Sequence, residues 1–134
     1  MSKTEDAPFE LFKQALATTA KAMSQTRDVE VAFSGDGPRA ESDRLILPPP
    51  PRDLSPEQAA RARGEADATA LRLAHHDPTA HSRFRPDSEG GRQVYEAAER
   101  ARIESIGARA MEGTAAMFEM LTSIRSVNLF CGAN

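Results

Sequence analysis

The sequence is short of the residues that form disulfide frameworks, membrane spans and large aromatic cores. It has no tryptophan, one tyrosine and one cysteine among 134 residues. The lone Cys131 cannot close an intrachain disulfide, and no pair of cysteines offers a zinc-finger spacing. No apolar run approaches the roughly 18 to 20 residues of a membrane helix, and the opening MSKTEDAPFE lacks the apolar centre of a signal peptide. We therefore expect a cytoplasmic protein that does not enter a membrane.

Bulky apolar residues are also scarce. Leucine, isoleucine, valine and phenylalanine together number 23 of 134, a fraction below the roughly 20% at which disorder becomes a concern. Alanine contributes another 23. Two explanations remain open: alanine-rich helices that pack at short distance, or a domain that completes its core against a partner. The formal net charge of −3, with 17 basic and 20 acidic residues interleaved, excludes charge-driven disorder and gives no basic footprint for nucleic acid.

Apolar residues at steps of three and four predict three long helices, over Pro8 to about Ser24, Ser55–His76 and Arg92–Ile124. The first helix has the apolar face Phe9, Phe12, Leu16, Ala20 and Met23. The second begins with a capping box, in which Ser55 caps the helix and Gln58 follows three residues later, and it ends at Asp77-Pro78.

Two short apolar segments between the first and second helices predict strands. Asp28–Phe33 alternates apolar and polar residues, and Arg44–Leu47 follows a loop rich in glycine, aspartate and serine. We expect them to form a β-hairpin with a long loop, followed by a stiff proline spacer at Pro48–Pro51. The predicted fold class is therefore mainly α, with about three long helices packed together and a small hairpin between the first and second.

The last predicted helix has an apolar stripe and, beside it, a stripe of small residues that a neighbouring backbone could approach closely. The first stripe is Ile103, Ile106, Ala110, Gly113, Met117, Met120 and Ile124, and the second is Ala97, Ala98, Ala101, Ser105 and Ala108. Gly107 and Gly113 predict either close packing or a break into two helices, because each costs about 1 kcal/mol in a helix interior. Glu96–Arg100 and Glu99–Arg102 have the spacing of supportive ion pairs.

Candidate site residues are few, and no serine, cysteine or histidine arrangement predicts a catalytic residue. His75, His76, Asp77 and His81 form the one group with metal-ligand side chains. Their spacing is unusual for zinc and lacks a fourth ligand, so helix-end histidines are the favoured interpretation and a metal site the alternative. Asp67 falls on or beside the small face of the second helix. It needs a cation such as Arg63 or Arg102, or else it faces a ligand.

Two segments, RARGEADATALRLAHHDPTAHSRFRP and RQVYEAAERARIESIGARAMEGTAAM, resemble the N-terminal region of the CobT-type subunit of aerobic cobaltochelatase. PFELFKQALATTAKAMSQTRDVEVAF and DRLILPPP resemble it as well, so the resemblance covers about residues 8 to 121. We expect a CobT-like helical domain over residues 1–121 and a tail over 122–134 that departs from the family. The subunits of this family end in a von Willebrand factor A domain with a metal-binding Asp-x-Ser-x-Ser motif. This sequence has neither that motif, nor a Walker A motif, nor an acidic linker, which suggests an N-terminal fragment, a truncated product or a short relative.

The resemblance implies a non-catalytic coupling subunit of the ATP-dependent enzyme that inserts cobalt into hydrogenobyrinic acid a,c-diamide. Its implied partners are the AAA+ ATPase subunit, the large corrin-binding subunit or a copy of itself, with ATP, magnesium and cobalt used by the whole complex and no cofactor bound by this chain. The expected partner-binding residues are Arg63, Asp67, Arg72, Glu99 and Arg102. The alternatives are a small metal-binding protein or metal-dependent enzyme built on His75, His76, Asp77 and His81, and an adaptor that docks through Leu129 and Phe130.

Overall fold

The computed structural model describes residues 7–111, 118, 119 and 123, and in that part of the chain it contains three long helices, one short helix and a small sheet. The helices are α1 (Ala7–Ser24), α2 (Pro56–His75), α3 (Pro78–Arg83) and α4 (Glu89–Ala110). The strands are β1 (Glu30–Phe33), β2 (Arg39–Ala40) and β3 (Arg44–Leu47). The mainly α fold class with a small β element is confirmed. Among the described residues, no helix is both long and apolar enough to cross a membrane.

The helix ends follow local signals in the sequence. Ser55 accepts a hydrogen bond from the Gln58 amide, and the Gln58 side chain accepts one from the Ser55 amide, both at 3.2 Å. This capping box begins α2 as predicted, and His76 caps its C-terminus just before Asp77-Pro78. Asp77 then caps the short α3, accepting from the amides of Thr79 and Ala80. The Asp77 carboxylate, a candidate metal ligand in the sequence, therefore serves as the N-cap of α3.

The sheet has the order β1-β3-β2, and its pairing differs from the predicted hairpin. The strand predicted at Asp28–Phe33 pairs parallel to β3, with Val31 opposite Leu45. The hairpin instead joins β2 to β3 through a two-residue turn, Ser42-Asp43. The predicted hairpin was wrong because β2 has only two residues and lies inside the segment assigned to a loop. The central strand β3 buries Leu45, Ile46 and Leu47 in succession, and because successive side chains point to opposite faces of a sheet, both faces of this strand are covered.

Helix α2 is the centre of the domain, because it contacts α1, α4 and the sheet. Its more extensive helix contact is with α1. The core includes the small residues Ala20, Ala66 and Ala70, each at most 2% exposed. The larger core residues are Leu16, Met23, Val29, Leu45, Leu47, Leu71, Ile103 and Phe118. Alanine residues of α1 and α2 therefore form part of this core, as the first of the two explanations for the composition expects.

The last predicted helix is interrupted. Helix α4 ends at Ala110, and the backbone of Met111 is extended, whereas Phe118, Glu119 and Ser123 are again helical. Within α4, Ile103 and Gly107 are buried, but Ala97, Ala98, Ala101 and Ser105 are exposed. The close approach of α2 therefore occurs at Gly107, and of the five residues in the stripe of small residues only Ala108 is partly buried against the core. Gly113, Met117, Met120, Ile124, Leu129, Phe130 and Cys131 lie outside the described residues.

Candidate functional site

The C-terminal end of α2, the short α3 and the middle of α4 meet at a group of charged and aromatic side chains. Asp77-Pro78 ends α2 and turns the chain into α3, which brings His81 back beside His76. The two imidazole rings make an edge contact, with centroids 4.8 Å apart. We call this group the histidine cluster; it consists of Arg72, His76, His81, Tyr95, Glu96, Glu99 and Arg102.

His76 links α2 to α4. Its Nδ1 lies 2.9 Å from Glu99 Oε1, and its Nε2 lies 3.4 Å from Arg72 Nη2. A guanidinium group can only donate hydrogen bonds, so Nε2 must accept and Nδ1 must carry the ring proton. In this arrangement His76 donates to Glu99 and accepts from Arg72.

Glu99 is held by Arg102 as well as by His76. Arg102 Nε lies 2.9 Å from Glu99 Oε2, and Arg102 Nη2 lies 2.8 Å from Glu99 Oε1, which is a bidentate arrangement. The same Nη2 donates to the carbonyl of His75 at 2.8 Å, so Arg102 joins α4 to the last turn of α2. Hydrogen bonding from Arg102, and then from His76, lowers the pKa of Glu99 to about 2 despite its partial burial. The predicted Glu99–Arg102 ion pair is confirmed.

His81 is fixed by two residues of α4. Its Nε2 lies 2.8 Å from Glu96 Oε1, and the Tyr95 ring stacks on the imidazole with centroids 4.3 Å apart. The Tyr95 hydroxyl also donates to the His81 carbonyl at 2.9 Å. Hydrogen bonding from His81 lowers the pKa of Glu96. Glu96, expected to pair with Arg100, therefore contacts a histidine of another helix.

The histidine cluster borders an open cleft of about 400 Å³. Its walls include His75, His81, Tyr95, Glu99 and Arg102, with Phe84 beside them. The Phe84 side chain is 70% exposed, which is unusual for a large apolar residue. The cleft thus presents aromatic surface next to a guanidinium group.

The structure divides the five expected partner-binding residues into two groups. Arg72, Glu99 and Arg102 belong to the histidine cluster, whereas Arg63 and Asp67 lie further back along α2. The Asp67 side chain is 1% exposed, and its Oδ2 lies 3.9 Å from Arg63 Nε. Neither Asp67 oxygen has a hydrogen-bond partner among the described residues. Burial raises the pKa of Asp67 to about 6, and the Arg63 charge offsets only part of that rise. The expected Arg63–Asp67 pair therefore exists, but at a long distance.

Sequence reasoning missed Tyr95 and Glu96 and did not connect Glu99 to the histidines. One signal was present, because Glu96 and Glu99 are three residues apart and share a helix face. Their histidine partners lie 15 and 23 residues earlier in the chain. The turn between α2 and α3 and the packing of α4 against both helices bring these residues together. His75, the remaining histidine, contributes its carbonyl to Arg102.

Fold and site together define a mainly helical domain with a small three-stranded sheet and a paired ionic cluster where three helices meet. A family model described as cobalamin biosynthesis protein CobT matches residues 6–125. The chain belongs to this family, and its role lies in cobalamin biosynthesis. No solved structure matches the chain.

Proposed function

We propose that the chain is a non-catalytic coupling and assembly domain of the ATP-dependent cobaltochelatase of aerobic cobalamin biosynthesis. That enzyme inserts cobalt into hydrogenobyrinic acid a,c-diamide, so cobalt and the corrin are substrates of the whole complex. The observation that carries the proposal is the family match over residues 6–125. The proposed partners are the AAA+ ATPase subunit and the large corrin-binding subunit, in the cytoplasm.

The protonation chemistry of Glu99 and Asp67 supports coupling over catalysis. A general acid or base works best with a pKa near the operating pH. Glu99 has a pKa of about 2 and is held by Arg102, so it is a weak base at neutral pH. Asp67 has a pKa of about 6, in the useful range, but its side chain is 1% exposed and out of reach of a substrate.

The packing supports a mechanical role. Helix α2 is a 20-residue rod that contacts α1, α4 and the sheet. The histidine cluster joins the C-terminal end of this rod to α3 and α4 through charge-assisted hydrogen bonds, which are stronger than neutral ones. A displacement applied at the α3–α4 face by an ATP-driven partner would therefore be carried along α2 to α1 and the sheet.

The proposed docking surface combines charges of both signs. Beside the histidine cluster, an open cleft of about 530 Å³ lies between β2, α2 and α4. Its charged wall residues are Arg39, Glu65, Arg72, Glu96, Arg100 and Glu104. Interleaved charges suit a polar partner surface, on which they set orientation and association rate. Arg72 and Glu96 belong to both the cleft and the cluster, so the two form one continuous surface.

Charge reversal tests the surface. The Arg102 side chain is 50% exposed, and Arg100 is exposed on the wall of the cleft. We expect Arg100→Glu and Arg102→Glu each to weaken binding to the AAA+ subunit by about tenfold or more, as measured by surface plasmon resonance, because each places a negative charge against a complementary partner. Lys21→Glu is the matched control, since Lys21 is exposed on α1, and it should change the affinity less than about twofold.

The full complex provides the second measurement. Both variants should lower cobalt insertion by the assembled complex, whereas Lys21→Glu should leave it unchanged. Circular dichroism should show wild-type helix content for all three variants. A chain that is a stable monomer by light scattering and binds neither the AAA+ subunit nor the corrin-binding subunit would refute the proposal.

A further inference from the structure

Ligand-type atoms from three helices converge at the histidine cluster. His76 follows α2, His81 lies in α3 and Glu99 lies in α4, and each offers an atom within 4.8 Å of the other two. We propose that His76, His81 and Glu99 form a binding site for a divalent transition-metal ion of the zinc and cobalt class. This departs from the expectation that the chain binds no cofactor, which rested on the family resemblance and on the unusual spacing of the histidines.

The ligand set matches the chemistry of that class of ion. Two imidazoles and one carboxylate are common zinc ligands, and imidazole also suits cobalt and nickel. Bonds of about 2.0 to 2.2 Å place neighbouring ligand atoms roughly 3.3 Å apart around a tetrahedral ion. The observed separations of up to 4.8 Å therefore require inward shifts of about 1 to 2 Å. Side-chain rotation can supply such shifts, because three different elements contribute one ligand each.

Burial and neighbouring contacts hold the ligands for binding. The side chains of His76, His81 and Glu99 are 10%, 12% and 14% exposed, so they are confined yet reachable from the adjoining cleft. Tyr95 fixes His81 by stacking on its ring and by hydrogen bonding to its carbonyl. Partners of this kind orient metal ligands and raise metal affinity.

Glu96 supplies the remaining acceptor. Its Oε1 lies 2.8 Å from His81 Nε2. An ion on His81 Nε2 would take Glu96 as a fourth ligand. An ion on His81 Nδ1 would leave the carboxylate holding the Nε2 proton, as in carboxylate–histidine–zinc sites. Glu96→Gln weakens the site in either arrangement.

Two arginines compete with the ion. Arg102 occupies both oxygens of Glu99, and Arg72 lies against His76 Nε2. An ion on His76 Nδ1 moves the single ring proton to Nε2, so Arg72 must turn away. The half-exposed Arg102 must likewise release one Glu99 oxygen toward the ion. Removing Arg102 should therefore strengthen metal binding, whereas it would weaken a purely structural ion-pair network.

The test is a metal titration of the purified chain carrying Cys131→Ser, which removes the thiol as a competing ligand. Co²⁺ binding is followed by its visible absorption and Zn²⁺ binding by calorimetry. We expect one ion per chain, with affinity reduced about tenfold or more by His76→Gln and by His81→Gln. Glutamine keeps a hydrogen-bond donor toward the glutamate, which favours retained folding. His75→Gln is the matched control and should leave the affinity within about twofold.

Arg102→Gln removes no metal ligand, and we expect it to increase the metal affinity of the chain. The expected thermal signature is a metal-dependent rise in Tm that His76→Gln and His81→Gln abolish. The proposal is overturned by an absence of saturable binding up to about 1 mM metal, by equal effects of all three histidine substitutions, or by weaker binding in Arg102→Gln. Because no partner subunit is present, failure here is distinguishable from failure of the coupling function.

Discussion

The ionisable side chain of Asp67 is buried in the core, where few neighbouring groups stabilise its charge. The side chain is 1% exposed, and the nearest cation, Arg63, is 3.9 Å away. The rise in its pKa from 3.8 to about 6 makes the folded state bind a proton more tightly than the unfolded chain does. Folding stability from this group is therefore greatest below about pH 4 and declines as the pH rises through 6. At pH 8 the ionisation of Asp67 lowers the free energy of unfolding by about 3 kcal/mol relative to low pH.

We expect Asp67→Asn to stabilise the protein at pH 8 and to have little effect near pH 4. The amide is as poorly partnered as the neutral acid but never acquires the buried charge. Urea unfolding of the variant and the wild type from pH 4 to pH 8 measures the difference. Asp87→Asn, in an exposed loop, is the control and should not change the pH dependence. If the Asp67→Asn gain is the same at both ends of that range, burial of the charge does not govern this site.

At the scale of elements, the contact between α2 and α4 depends on Gly107. A Cβ at this position would overlap the Leu71 side chain, which is 3% exposed. Alanine normally stabilises a helix interior by about 1 kcal/mol relative to glycine. Here we expect overpacking to exceed that gain, so that Gly107→Ala lowers the free energy of unfolding by about 1 to 2 kcal/mol.

Gly90 is the matched control, because it lies in the same helix and an added Cβ would meet nothing within 4 Å. Gly90→Ala should leave stability unchanged or raise it slightly. Thermal and urea denaturation compare the two variants. A stabilised Gly107→Ala would mean that α2 and α4 are further apart than the structure places them.

The elements that sequence reasoning predicted well are those with local causes. The start of α2 at Ser55 and its end at Asp77-Pro78 depend on residues within one turn, and the face of α1 depends on a 3.6-residue period. The pairing of β1 with β3 could not be predicted in this way. It depends on the position of strand β2 (Arg39–Ala40), and a strand of two residues has no periodic pattern of apolar residues. The histidine cluster was missed for a similar reason, since His76 and Glu99 meet only through the tertiary packing of α2, α3 and α4.

At the scale of the whole molecule, the same cluster compensates for the scarcity of bulky apolar residues. The core lies mainly around α1, α2 and the sheet, whereas α3 has no buried residue and α4 buries only Ile103 and Gly107. Polar contacts therefore supply much of what holds the α3–α4 side to α2. Among the described residues, the contacts that cross between these helices include His76–Glu99, His81–Glu96, Tyr95 to the His81 carbonyl, and Arg102 to the His75 carbonyl.

Acid should consequently loosen this side of the molecule. The pKa of Glu99 falls from 4.5 to about 2 on folding, so its stabilising contribution is complete above about pH 5 and is lost as the pH falls through 2. We expect Glu99→Gln to lower the free energy of unfolding at pH 7 by about 1 to 2 kcal/mol, after allowance for solvent screening of the half-exposed Arg102.

The difference between Glu99→Gln and wild type should shrink as the pH falls from about 4.5 to 2, because the Glu99 carboxylate of the unfolded chain becomes protonated in that range whereas that of the folded state becomes protonated only near pH 2. Chemical denaturation from pH 2 to pH 7 measures it, and Glu119→Gln, an exposed helical position, should show no comparable pH dependence. Hydrogen exchange should localise the loss, with the amides of α3 and the middle of α4 exchanging faster while those of α1 and β3 keep their protection. Uniformly faster exchange would instead show that α3 and α4 unfold together with the rest of the domain, and that the cluster does not hold them separately.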